Sequence, residues 1–215
     1  MKRLFVSDLH LGKSDSQYKK FLELLKSEKP DELYLIGDIF DLWVKNFKYI
    51  REKCCDFFNT LEEFSINGTK IFYILGNHDF DIDLQKDPIF DKMSICIEKK
   101  LNDTILFHGH QYDFLMVNYF YLVRFLTFIY SLFNSKYETS LASKRKDKEF
   151  DFLLNDIKNK AVQENKDFKT IIMGHTHIAD DCVIDNVRYI NLGDWVTNLT
   201  YAIEIDGIIE LKRSK

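Results

Sequence analysis

The chain contains six histidines, and all six fall in short motifs that also carry glycine, aspartate or asparagine. Asp8 and His10 stand in SDLHLG, Asp38 and Asp41 in GDIFD, and Asn77, His78 and Asp79 in GNHD. His108 and His110 stand in HGH, and His175 and His177 in GHTH. Imidazole, carboxylate and amide oxygen together form a donor set for Zn, Mn or Fe. The four cysteines (Cys54, Cys55, Cys96 and Cys182) show no CxxC spacing, which disfavours a structural zinc cluster or a disulfide framework. At least seven donors exceed the need of one ion, whereas two ions ~3.5–4 Å apart and bridged by a carboxylate would use them. Asp38 suits the bridging position: it ends an apolar run, and Gly37 before it lets the backbone turn tightly. Two divalent ions bring four positive charges; Asp8 and Asp38 offset two, and the remainder can hold a phosphate or diphosphate.

Each motif follows a segment fit to be a strand. Arg3–Ser7, Leu33–Ile36 and Lys70–Leu75 are apolar runs rich in strand formers. Helical patterns separate them, over Ser16–Ser27 and Asn46–Ser65, the second stopped by Asn67-Gly68. This β-α-β-α-β alternation predicts parallel strands joined by right-handed crossovers. Further strands are expected at Met93–Ile97, Thr104–Phe107 and Thr170–Met173. Asp185-Asn186 and Asp206-Gly207 each sit between apolar runs and predict two closing hairpins. In open α/β sheets sites form beyond the carboxyl ends of the strands, so five strand ends are expected to deliver the polar groups to one edge.

The chain has 215 residues, 46% hydrophobic and 30% charged, which suits one soluble α/β domain. A net charge of −4 argues against a dedicated nucleic-acid binder, so no nucleic acid is expected as a partner. The opening MKRLFVSDLHLG is interrupted by Asp8 too early for a signal-peptide core. Together with the unpaired cysteines this leads us to expect a cytoplasmic protein.

The series DLHLG, GDIFD, GNHD, HGH and GHTH resembles the calcineurin-like metallophosphoesterase family, in the family's order and over residues 8 to 177. The resemblance implies an α/β fold, a β-sandwich flanked by helices, with a dinuclear site at the strand ends. It implies Asp8, His10 and His177 on one metal, Asn77, His108 and His175 on the other, and Asp38 between them. His78 would contact the phosphate or protonate the leaving group. Asp41 and Asp79 have two readings each, as partners of a ligand histidine or as helix caps. His110 would orient the neighbours of His108 or face substrate. A narrower resemblance, through SDLHLG, GDIFDLW, GNHDF and YINLGDWV, is to the branch of that family containing UDP-2,3-diacylglucosamine pyrophosphatase. It implies hydrolysis of a nucleotide-linked lipid to UMP and a diacylated sugar phosphate in lipid A synthesis, with Mn²⁺ as the expected metal and Fe or Zn as alternatives. The chain departs from that branch at His78, where its best-known members carry Arg, and at His110, where they carry Asp.

Residues 112–166 read as an almost wholly helical insertion within a single domain spanning 1–215. Its segment Phe114–Phe133 has one charge in twenty residues, long enough for a membrane span. Arg124 near the centre would cost ~2.5–3.5 kcal/mol there, and the candidate ligands on either side of the segment must share one site. Two readings stay open: a buried helix packed on the domain, or an amphipathic lid that meets acyl chains or the inner membrane surface, with Arg124 as a substrate contact. The basic run SKRKDK at 143–148 favours peripheral contact with anionic lipid. Competing functions are a phosphoesterase on a soluble nucleotide-type substrate, a nuclease, and a scaffold without catalysis.

Overall fold

A computed structural model describes residues 1–82, 86–133 and 148–214. Two mixed sheets stack between helices. The first has six strands: β1 (Lys2–Val6), β2 (Glu32–Ile36), β3 (Lys70–Ile74), β4 (Met93–Cys96), β10 (Thr200–Ile205) and β11 (Ile208–Arg213). Their order is β11-β10-β1-β2-β3-β4, with β1 through β4 parallel. The second sheet has five: β5 (Glu98–Leu101), β6 (Thr104–Phe107), β7 (Thr170–Met173), β8 (Asp180–Ile184) and β9 (Val187–Asn191), ordered β5-β6-β7-β9-β8. Both predicted hairpins form, β8–β9 and β10–β11.

The central strands read as unbroken apolar runs because both of their faces are buried. Side chains alternate across a strand. Leu4, Val6, Leu33 and Leu35 therefore face α1 (Tyr18–Glu28), α2 (Phe47–Lys53) and α3 (Cys55–Ile66), packing with Phe21, Leu25, Phe57 and Phe58. Phe5, Tyr34 and Ile36 face the other way and meet Leu106, Ile172 and Ile190 of the second sheet. The outer face of that sheet, with Phe107, Ile171 and Tyr189, is covered by Ile157, Ala161 and Val162 of α5 (Lys148–Glu164).

Three local expectations change. The helix anticipated over 46–65 is two helices, because Cys54 leaves the helical region (φ −113°, ψ 34°). The first helix begins at Tyr18 rather than Ser16. Strand β5 went unseen, since EKKL is a charged edge strand with no apolar run.

The remaining helix, α4 (Phe114–Phe133), is the part of the 112–166 segment that departs from the body. The buried-core reading does not hold for it. It is long and apolar enough to cross a membrane by length and composition, yet none of its window Phe114–Leu132 is buried. Tyr121 is 83% exposed and Phe125 58%. The basic run at 143–147 lies outside the described residues.

Candidate dinuclear metal centre

The loops after β1, β2, β3, β6 and β7 converge, and they bring all seven expected ligands together. His10 Nε2 lies 3.2 Å from His177 Nε2, and His177 Nε2 lies 3.3 Å from Asp8 Oδ1. His108 Nε2 lies 3.4 Å from Asp38 Oδ1, and His10 Nε2 lies 3.9 Å from Asp38 Oδ2. His175 Nδ1 faces Asn77 Oδ1 at 3.1 Å. Asp8, His10 and His177 form one buried group whose donor atoms lie within 4.8 Å of one another; Asp8, Asp38 and His108 form a second. Asp8 Oδ1 and His108 Nε2 are buried and make no hydrogen bond. Carboxylate oxygens and ring nitrogens crowded in this way, two of them buried without a hydrogen-bond partner, fit a cation.

The backbone is bent to achieve this. Asp8, His10, Asp38, His175 and His177 all have positive φ, between 48° and 69°. Loop glycines allow the close approach: a side chain on Gly37 would overlap the His108 ring, and one on Gly174 would overlap Asp8 Oδ2.

Three of the ring nitrogens that point away from this cluster have acceptors of their own. His177 Nδ1 is 3.2 Å from Asp194 Oδ2, and His175 Nε2 is 3.0 Å from Asp113 Oδ2. His108 Nδ1 is 3.0 Å from the Ile36 carbonyl, and His10 Nδ1 is 3.7 Å from Asp41 Oδ2. Metal-binding imidazoles are oriented in this manner, one nitrogen on the ion and the other on a carboxylate or carbonyl. Asp113 and Asp194 were not singled out from the sequence, although Asp194 stands in the quoted YINLGDWV.

The ambiguous residues resolve as follows. Asp41 is no cap of α2, a role taken by Asn46, which accepts from Tyr49 N at 2.9 Å. Instead Asp41 sits between Lys13 Nζ (2.7 Å) and His78 Nδ1 (3.1 Å). Asp79 is also no cap. Its Oδ2 accepts from Ile39 N (2.7 Å), Phe40 N (3.3 Å) and Tyr73 OH (2.5 Å), and its Oδ1 from Gly76 N (2.8 Å). It thereby ties the loop after β2 to the loop after β3. His78 is stacked on Trp43, rings 3.9 Å apart and 17° from parallel, and its Nε2 is 3.9 Å from Asp38 Oδ2. The His110 ring lies 5.6 Å from the His108 ring and 6.4 Å from the His175 ring, and burial lowers its pKa to about 3. Arg124 does not reach the cluster; it pairs with Asp81 at 3.4 Å.

Charge follows the same plan. Burial would raise Asp38, but the facing His108 and His78 hold it well below the usual carboxylate range. Burial would likewise raise Asp41, and His78 and Lys13 hold it well below. Burial, reinforced by the Lys13 charge, lowers His10 to about 3, so this ring is neutral and offers a lone pair.

A sequence profile of calcineurin-like phosphoesterases matches residues 1–179. The chain belongs to the calcineurin-like phosphoesterase family. As a member it is a metal-dependent phosphoester hydrolase, and the family's requirement for divalent metal matches the donor groups described above. Among curated relatives, a UDP-2,3-diacylglucosamine hydrolase from Wigglesworthia glossinidia brevipalpis is 29% identical over 91% of this chain and 87% of its own length. One of the same name from Ectopseudomonas mendocina is 25% identical over 95% and 94%. Among solved structures, Yfce, a phosphoesterase from E. coli, is similar in fold, with a TM-score of 0.51 at 15% identity over the whole of both chains.

Proposed function

We propose that this phosphoesterase cleaves the diphosphate of UDP-2,3-diacylglucosamine, giving UMP and 2,3-diacylglucosamine 1-phosphate. The observation that carries the substrate class is α4, an apolar helix with none of its window buried, which begins one residue after the carboxylate facing His175. A soluble nucleotide has no use for such a surface, whereas two acyl chains do, since each buried CH₂ contributes about 0.8 kcal/mol. The curated relatives of that name support the same reading. The protein would work in the cytoplasm, with α4 against the inner membrane surface.

In this reading Asp8, His10 and His177 would hold one divalent ion and Asn77, His108 and His175 the other, with Asp38 available to both. Mn²⁺ is the proposed metal. When bound, such a pair supplies Lewis acidity and a hydroxide at neutral pH. The remaining work belongs to the chain. Apolar contacts on α4 hold the lipid and so keep the diphosphate at the strand ends. His78 is free for the reacting phosphate, because Asn77 is the ligand its motif offers. Trp43 fixes the plane of the imidazole, and Asp41 accepts from Nδ1, so that Nε2 faces the site. From there the ring donates a proton to the phosphate oxygen that leaves when the P–O–P bond breaks.

The test compares turnover of UDP-2,3-diacylglucosamine, simple nucleotides and a chromogenic phosphodiester by Mn²⁺-loaded protein. The lipid should be turned over best by a wide margin. Turnover of nucleotides or the diester with none of the lipid would reassign the enzyme to a soluble substrate.

A further inference from the structure

Besides the Arg124–Asp81 pair, helix α4 meets the body at two places that lead to a site histidine. The first is Asp113, which precedes the helix. Its Oδ1 accepts from Leu115 N at 2.8 Å, and its carbonyl accepts from Val117 N at 2.9 Å, so it starts the helix. Aspartate in that position satisfies an N–H that the helix leaves unpaired. Its other oxygen, Oδ2, is 3.0 Å from His175 Nε2, and the opposite nitrogen of the same ring faces Asn77. The second place is Phe120, edge-on to Trp43 at 5.7 Å, and Trp43 lies on His78. Between the two, Tyr119 breaks the helical geometry (φ −132°, ψ 24°). A helix with so little buried surface has low local stability, and its first turn depends on its cap.

We propose that Asp113 is a positioning residue that ties the first turn of α4 to the second metal position, so that metal there orders the start of the helix. The inference rests on the metal reading above. With Nδ1 committed to a cation, the His175 proton resides on Nε2 and is donated to Asp113 Oδ2. That donation fixes the carboxylate in the rotamer that also caps Leu115. Binding linkage is reciprocal, so an ordered α4 in turn tightens the ion.

The full chain is tested with Asp113→Ser, which keeps a good cap but removes the carboxylate, and with Asp113→Asn, whose one oxygen can cap the helix or face His175 but not both. Mn²⁺ titration by calorimetry is paired with hydrogen exchange of the amides at 115–118, metal-free and loaded. Wild type should bind two ions, and exchange at 115–118 should slow on loading. Asp113→Ser should keep the affinity of one site and the helix content. It should lose about 10–100-fold at the other site, and its exchange at 115–118 should no longer respond to metal; Asp113→Asn should fall between. If Asp113→Ser loses helix, Asp113→Asn alone must show the selective loss. Wild-type affinity at both sites in the variants, equal loss at both, or a wild-type first turn indifferent to metal would each overturn the proposal. A wild type that binds no metal would instead remove the metal reading on which it rests.

Discussion

Replacing Asp79 by Asn changes one atom and should cost much of the protein's stability. The buried carboxylate takes four donors, three backbone N–H groups and the Tyr73 hydroxyl. An asparagine can present one oxygen. In the better orientation it serves Ile39, Phe40 and Tyr73, and its NH₂ then faces the Gly76 N–H. Two buried donors are left unpaired, at about 1–3 kcal/mol each. The three remaining bonds also lose their charged acceptor, at about 1 kcal/mol each, while removal of a buried charge offsets part of the total. The expected net loss is about 3–5 kcal/mol, against a typical total of about 5–15 kcal/mol. Tyr73→Phe removes one donor and leaves the rest satisfied, so about 1.5–3 kcal/mol is expected. Urea unfolding of the chelated proteins, extrapolated to water, measures both. A loss under about 1 kcal/mol for Asp79→Asn, or a larger loss for Tyr73→Phe, would refute the idea that Asp79 braces the two loops. Should Asp79→Asn fail to fold, the milder variant still decides the size of the Tyr73 contribution.

His78→Ala should retain both ions while turnover falls by about 10²–10⁴-fold; elemental analysis beside kinetics checks this, and loss of an ion would make His78 a ligand. Exposed Phe125 and Phe128 replaced together by Ser should lower kcat/KM on the lipid substrate at least tenfold and leave a small chromogenic diester unaffected, whereas equal losses would mean that α4 serves only structure. Metal loading should release at least one proton near neutral pH. Burial would lower His108, but the charge of the facing Asp38 raises it to about 10, so below that pH an incoming ion must displace the proton. Apparent affinity therefore rises with pH, and calorimetry in buffers of different ionisation heat should detect the release; no release would contradict a protonated His108.

The donor atoms of this site were legible in the sequence because each sits within a few residues of the strand that delivers it. Parallel order followed from the helices between β1, β2 and β3. Two of the carboxylates behind the histidines were not legible. Asp113 is 62 residues from His175 and Asp194 is 17 from His177, and among 34 acidic residues only the folded topology selects them. The fate of α4 was equally hidden. Its apolar residues run all round the helix, so composition alone could not tell core from surface. Burial was settled elsewhere, by α5 occupying the outer face of the second sheet. The break at Cys54 carries no Gly or Pro to announce it.

The five left-handed residues at the site give the metal centre an evolutionary cost. Each holds a conformation that is worth on the order of 1–3 kcal/mol less than an ordinary one, and glycine would relieve it. Asp8, His10, Asp38, His175 and His177 are therefore five separate positions at which one substitution relaxes the backbone and removes a donor together. Selection for folding alone favours that exchange, and only selection for catalysis opposes it. A descendant of this chain that no longer needed to hydrolyse its substrate would drift toward glycine first at these turns, well before its core changed. Non-glycine side chains at all five turns in a related chain would then be a sign, readable before any assay, that the chemistry is still in use.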